Sequence, residues 1–169
     1  TTLLVRSEEL DALLARRPGA RVERDLCWIR FDAPMGWEVV GFLAAVCERP
    51  ERVVGMHFFN PVPVLPLVEV IDTLVTAPEA VAKVEKFAGD ALGKKVVRCG
   101  DRSGFIVNAL LVPYLLSAIR MAEAGVASVE DIDTAVVAGL SHPMGPLKLS
   151  DLIGLDTMKL IADSMYDEY

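Results

Sequence analysis

An α/β arrangement that gives way to an all-helical region is predicted for this chain of 169 residues from three observations. Up to about Gly100, short runs rich in β-branched and aromatic residues alternate with stretches of helical spacing. From Phe105 onward, every apolar pattern has a helical period. A hydrophobic content of 53% supplies a core without disulfide support. The predicted division is a region of α/β character over 1–100 and a helical region over 101–169, with no internal repeat and no low-complexity tract.

The elements follow in order. Ser7 to Ala15 carries Leu10, Leu13 and Leu14 at helical spacing behind a serine cap, and ends at Pro18-Gly19. Asp25 to Phe31 is strand-like, and Gly41 to Cys47 reads as a small buried helix. Val53 to Phe59 and Leu67 to Ile71 read as strands. Between them, Asn60-Pro61-Val62-Pro63 breaks any ladder, because proline has no N–H to donate. Thr76-Ala77-Pro78-Glu79 has a capping-box pattern. The helix it starts places Val81, Val84, Phe87, Ala88 and Ala91 on one face and stops at Gly93. Lys95 to Cys99 supplies another strand.

Phe105 to Ala124 is apolar nearly all round, so it requires neighbours on every side, and Pro113 is expected to kink or interrupt it. Ser128 caps a second helix through Ala138, Gly145-Pro146 starts a third, and Asp156 to Tyr169 forms a fourth with no stop signal. The chain reads as cut there. Burial inside the helical region or against a second copy would supply those neighbours, and the second, a homodimer, is favoured.

Composition removes several classes of function. A formal charge of −7 argues against a nucleic-acid partner, because phosphate binding depends on clustered Lys and Arg. Cys27, Cys47 and Cys99 are odd in number and far apart, which suggests neither a disulfide framework nor a zinc site. No metal is expected, and a reduced cytoplasm fits. No apolar run reaches the roughly 20 residues of a membrane span, and Thr1 to Pro18 has charges where a signal peptide would be apolar.

One pair of residues carries chemistry. Two consecutive strands with a short connection pair antiparallel, and folding about Pro63 brings His57 opposite Glu69, each six residues away. A carboxylate bonded to one imidazole nitrogen fixes the tautomer and leaves the other nitrogen to take a proton, which is the design of a general base. From spacing alone, a hydrogen-bonded core histidine and a solvent-facing edge glutamate fit as well. His142, within Ser141-His142-Pro143-Met144-Gly145-Pro146, reads as part of a structural chain reversal.

The strings "RPERVVGMHFFNPVPVLPLVEVI", "LGKKVVRCGDRSGFIVNALLVPYL" and "HPMGPLKLSDLIGLDT" resemble the L-3-hydroxyacyl-CoA dehydrogenase family, particularly its bacterial 3-hydroxybutyryl-CoA members, from about Arg49 to Tyr166. The resemblance implies the end of a Rossmann-type nucleotide-binding domain joined to a dimerising helical domain like the C-terminal domain of 6-phosphogluconate dehydrogenase. It implies oxidation of a 3-hydroxyacyl-CoA with NAD, or NADP, as cofactor. It assigns His57 as base, Glu69 as its orienting partner, Asn108 as the amide holding the substrate oxygen, and Asn60 to the neighbourhood of the cofactor. In the family, fatty-acid β-oxidation is the setting.

The departures are equally specific. No G-x-G occurs in the chain, so the turn that lets a backbone approach a pyrophosphate is lacking. Pro34-Met35-Gly36-Trp37 stands where the family has Asn-Thr-Ser-Ser, Pro66 replaces a commoner lysine, and the first 35 or so residues are atypical. A piece of a longer dehydrogenase, a non-catalytic dimerisation module, and a dehydrogenase for hydroxyacids not attached to CoA are the three expectations. With the phosphate cradle absent, NAD is expected to bind weakly or not at all to these residues alone.

Overall fold

The computed structural model describes residues 2–4, 21–23, 28–30, 39–45 and 47–166. Within them the chain divides into two compact units, the first ending at Phe105 and the second running from Ile106 through the C-terminal helices. The helix expected over Ser7 to Ala15 and the Pro34 to Trp37 segment lie outside the described residues.

The first unit is built on a six-stranded sheet. Its strands are β1 (Thr2–Leu4), β2 (Arg21–Glu23), β3 (Trp28–Arg30), β4 (Gly55–Phe58), β5 (Leu67–Asp72) and β6 (Lys95–Gly100), in the order β2-β3-β1-β4-β5-β6. β3 falls inside the strand-like Asp25 to Phe31 stretch. β4 and β5 are antiparallel, whereas β5 and β6 are parallel. A parallel pair needs a crossover, and α2 (Pro78–Lys86) with the wide π turn Phe87–Ala91 provides it.

The two-residue period of a strand divides the β4–β5 pair between two faces. Met56, Val68 and Val70 go to one, where they pack with Val81 and Ala88 of the crossover and with Val96 of β6. Gly55, His57, Glu69 and Ile71 go to the other. At one end of that face lies α1 (Val39–Ala45): a Cβ on Gly55 would stand 2.7 Å from Val40 Cγ2 and 3.0 Å from Ile71 Cβ, so only glycine allows this approach.

Two expectations about α2 are corrected. Its N-cap is Ala77, with no side-chain cap. The Thr76 hydroxyl instead donates to Val53 O at 2.9 Å and meets Thr73 Oγ1, tying the loop to the start of β4. A cap would place that hydroxyl over the helix end, and here a tertiary carbonyl outcompetes it. The single-face prediction also fails in the last turn. The π turn rotates the helix by an extra residue, so Ala88 is buried while Phe87 is 42% exposed.

The second unit contains α3 (Val107–Glu123), α4 (Val129–Leu140), α5 (Pro146–Ile153) and α6 (Leu155–Tyr166). α3 runs through Pro113 without interruption. Proline costs one backbone bond there, and burial of Val112, Leu115 and Ala118 on either side of it holds the helix together. Ser128 caps α4 by accepting from Asp131 N at 3.1 Å, while its hydroxyl donates to Asp131 Oδ2 at 2.8 Å. Gly145-Pro146 opens α5 as expected. α3 is not covered on every side: Leu110 is 72% exposed.

Candidate active site

β4 and β5 set His57 directly opposite Glu69. His57 Nδ1 lies 2.6 Å from Glu69 Oε2, a short hydrogen bond to a carboxylate. The glutamate side chain is fully buried and the imidazole is 14% exposed. Burying a carboxylate is costly unless it is compensated, and the ring N–H supplies that compensation. An ionised carboxylate can only accept, so Nδ1–H donates and Nε2 keeps the lone pair. Among the described residues Nε2 has no hydrogen-bond partner. The pair can therefore hold one ring tautomer and accept a proton at Nε2.

Two phenyl rings lie against this imidazole. The Phe59 centroid is 4.6 Å away and the Phe105 centroid 5.2 Å away, both tilted. Phe59 could have been found from the strand period, which places residues 57 and 59 on one side. Phe105, 48 positions from His57 along the chain, left no such signal.

Asn60 is exposed at the start of the turn that follows β4. That turn is fixed from outside, since Lys94 Nζ donates to Val62 O at 2.5 Å and to Leu65 O at 2.8 Å. No spacing rule pointed to Lys94. Asn108 stands in the first turn of α3, half-buried, in the helical unit. The structure thus joins His57 to Glu69, sets Asn60 three residues beyond His57, and carries Asn108 on the other unit. His142 meets Tyr114 edge-on at 5.6 Å, with Tyr114 Oη 3.4 Å from Nδ1, in keeping with a packing role. Burial, and then the Asp133 carboxylate, raise the Tyr114 phenol above its ordinary range.

Cys99 lies beside Ile71 in the β5–β6 register. Its thiol is pushed up to about 12, by burial first and then by the negative charges of Glu69, Asp72 and Asp101. An open cavity of about 620 Å³ in the same unit is lined by Gly41, Asp72, Thr73, Asp101 and Arg102 among others, and includes neither His57 nor Glu69. Among the described residues no helix is long and apolar enough to cross a membrane.

Comparison with known proteins gives these residues a context. Residues 39–102 match the model of the 3-hydroxyacyl-CoA dehydrogenase NAD binding domain, and residues 104–169 match that of the 3-hydroxyacyl-CoA dehydrogenase C-terminal domain. A 3-hydroxybutyryl-CoA dehydrogenase of Mycobacterium tuberculosis is 72% identical over 127 residues, 75% of this chain and 44% of the relative. The human mitochondrial hydroxyacyl-coenzyme A dehydrogenase is 52% identical over 125 residues, 74% of this chain and 40% of the relative. The crystal structure of M. tuberculosis FadB2 superposes with a TM-score of 0.77 at 67% identity, covering 80% of this chain and 48% of that one. The chain therefore spans less than half the length of these relatives.

Proposed function

Because the chain belongs to the 3-hydroxyacyl-CoA dehydrogenase family, we propose that it takes part in the NAD-linked oxidation of an L-3-hydroxyacyl-CoA to the 3-oxoacyl-CoA. The substrate favoured is 3-hydroxybutyryl-CoA, the compound in the name of the 72% identical relative. The observation that carries this reading is the 2.6 Å bond between His57 and the fully buried Glu69.

In this reading His57 Nε2 removes the proton of the substrate 3-hydroxyl. Glu69 holds Nδ1–H and offsets the positive charge the ring gains. The Asn108 amide donates to the substrate oxygen while it carries partial negative charge on the way to a carbonyl. When bound, NAD would supply the acceptor for the hydride that leaves the carbon bearing this hydroxyl. Asn60, exposed beyond His57, is assigned to the cofactor side. The fit of these residues to the dinucleotide is partial, since no G-x-G is present to cradle a pyrophosphate.

The exposed Leu110, Leu140, Leu152 and Leu160 of the helical unit support pairing with a second copy. Free Cys99 supports a reducing, cytoplasmic setting. The deciding experiment is His57→Ala in the full-length protein, with 3-hydroxybutyryl-CoA and saturating NAD. Turnover should fall about 10²- to 10⁴-fold with the circular dichroism spectrum retained, and undiminished turnover would reject the assignment.

A further inference from the structure

Phe105 combines two features that bear on His57. Its ring lies 5.2 Å from the imidazole, centroid to centroid. Its backbone φ is +48°, directly after Gly104 at +78°. The left-handed region brings the Cβ of an L-residue against its own carbonyl, and glycine is the residue that occupies it freely. Phenylalanine holds such a conformation only where its surroundings oppose relaxation. The Phe105 N–H closes the turn on Arg102 O at 3.0 Å, and the ring then packs against His57.

We propose that Phe105 is a positioning residue for the His57–Glu69 pair: the left-handed backbone aims its ring at the imidazole, where it keeps water from the Nδ1–Oε2 bond. Water at that bond would compete for the carboxylate and raise the local dielectric, loosening the orientation of the ring. A half-buried imidazole at the end of a strand needs such a wall. Phe59 supplies part of it from the same strand, and Phe105 supplies the part that the β4–β5 hairpin cannot.

The chain's two histidines make the test direct. With ¹⁵N-labelled histidine and a His142→Gln reference, the Nδ1 proton of His57 can be assigned and its solvent exchange measured. Phe105→Gly removes the ring and suits the positive φ, so the backbone is preserved. The expected result is exchange about tenfold faster, equivalent to about 1.4 kcal/mol, while Phe105→Tyr stays near the parent rate. If the glycine variant fails to fold, Phe105→Leu gives the same readout, with a smaller acceleration in the same direction.

A purely structural role would lower the melting temperature and leave Nδ1 exchange untouched, and that outcome overturns the proposal. Equal acceleration in Phe105→Gly and Phe105→Tyr overturns it too, because the ring would then be irrelevant. The consequence for turnover, a lower kcat in Phe105→Gly with the KM for NAD unchanged, rests on the dehydrogenase reading. The exchange measurement does not: ring-dependent protection in a protein lacking that turnover would reject the activity and uphold the role of Phe105.

Discussion

The carboxyl group of Asp133 occupies the space that a side chain on Gly145 would need: a Cβ there would stand 2.2 Å from Asp133 Cγ. This contact joins two helices of the second unit. Asp133, on α4, accepts from Leu147 N at 2.8 Å and Lys148 N at 3.0 Å, and so serves the open N-terminus of α5 from a distance. Gly145→Ala should therefore cost more than an ordinary glycine substitution. Displacing the cap and overpacking the contact together predict a loss of about 2 kcal/mol or more in urea unfolding. Adding Asp133→Ala should cost less than its effect in the parent, because the clash with the carboxyl group is then gone and only the 2.3 Å approach of the Asp133 Cβ remains. Additive losses would mean that the contact does not couple the helices.

Glu69→Gln keeps the shape of the side chain and a carbonyl acceptor for Nδ1–H but removes the charge. Since a neutral amide would then stand where the carboxylate meets the ring, it should support the imidazolium less well. Turnover should fall about tenfold, less than the loss on removing the base itself. Undiminished turnover would show that the carboxylate does not support the ring.

The pairing of these two residues was legible in the sequence because its determinants are local. Pro63 sits midway between them, and an antiparallel connection with a period of two leaves little freedom. Ser128 and Gly145-Pro146 were legible as helix starts for the same reason. What escaped depended on distant partners: Thr76 was drawn to Val53 O rather than to its own helix, and the π turn rotated Phe87 outward. Asp133 served a helix 14 residues on, and Phe105 reached His57 only through a left-handed turn.

Cys99 should be a slow thiol. With its ionisation pushed up to about 12, its thiolate pool at pH 8 is about 10³-fold below that of an ordinary cysteine. The greater nucleophilicity of a high-pKa thiolate offsets part of this. Peptide-resolved iodoacetamide labelling should proceed about 10- to 100-fold more slowly than for N-acetylcysteine amide, and should keep accelerating above pH 9. The raised value also has a sign for stability. The folded state keeps the neutral thiol, so its contribution is complete below the unfolded value near 8.5 and is lost as the pH climbs from there towards 12. A labelling rate that levels off near pH 9 would contradict the burial of this thiol.

Lys94 offers the last test, because one ammonium group spans the turn between the strands that carry His57 and Glu69. Its two bonds to Val62 O and Leu65 O leave those carbonyls on a single donor. Within the same turn Val64 N and Leu65 N both donate to Pro61 O. Lys94→Met preserves the length and the apolar stem but removes the charge and all three donors. The site is exposed, so water replaces much of what is lost, and the global cost should be only about 1 kcal/mol. The local effect should be larger than the global one. Amide exchange at Val64 and Leu65 should quicken about tenfold, while amides in the centre of β5 remain at the parent rate, because the turn then opens without the sheet. If β5 quickens equally, Lys94 supports the whole hairpin; if neither changes, the turn is held by its prolines and Lys94 is dispensable.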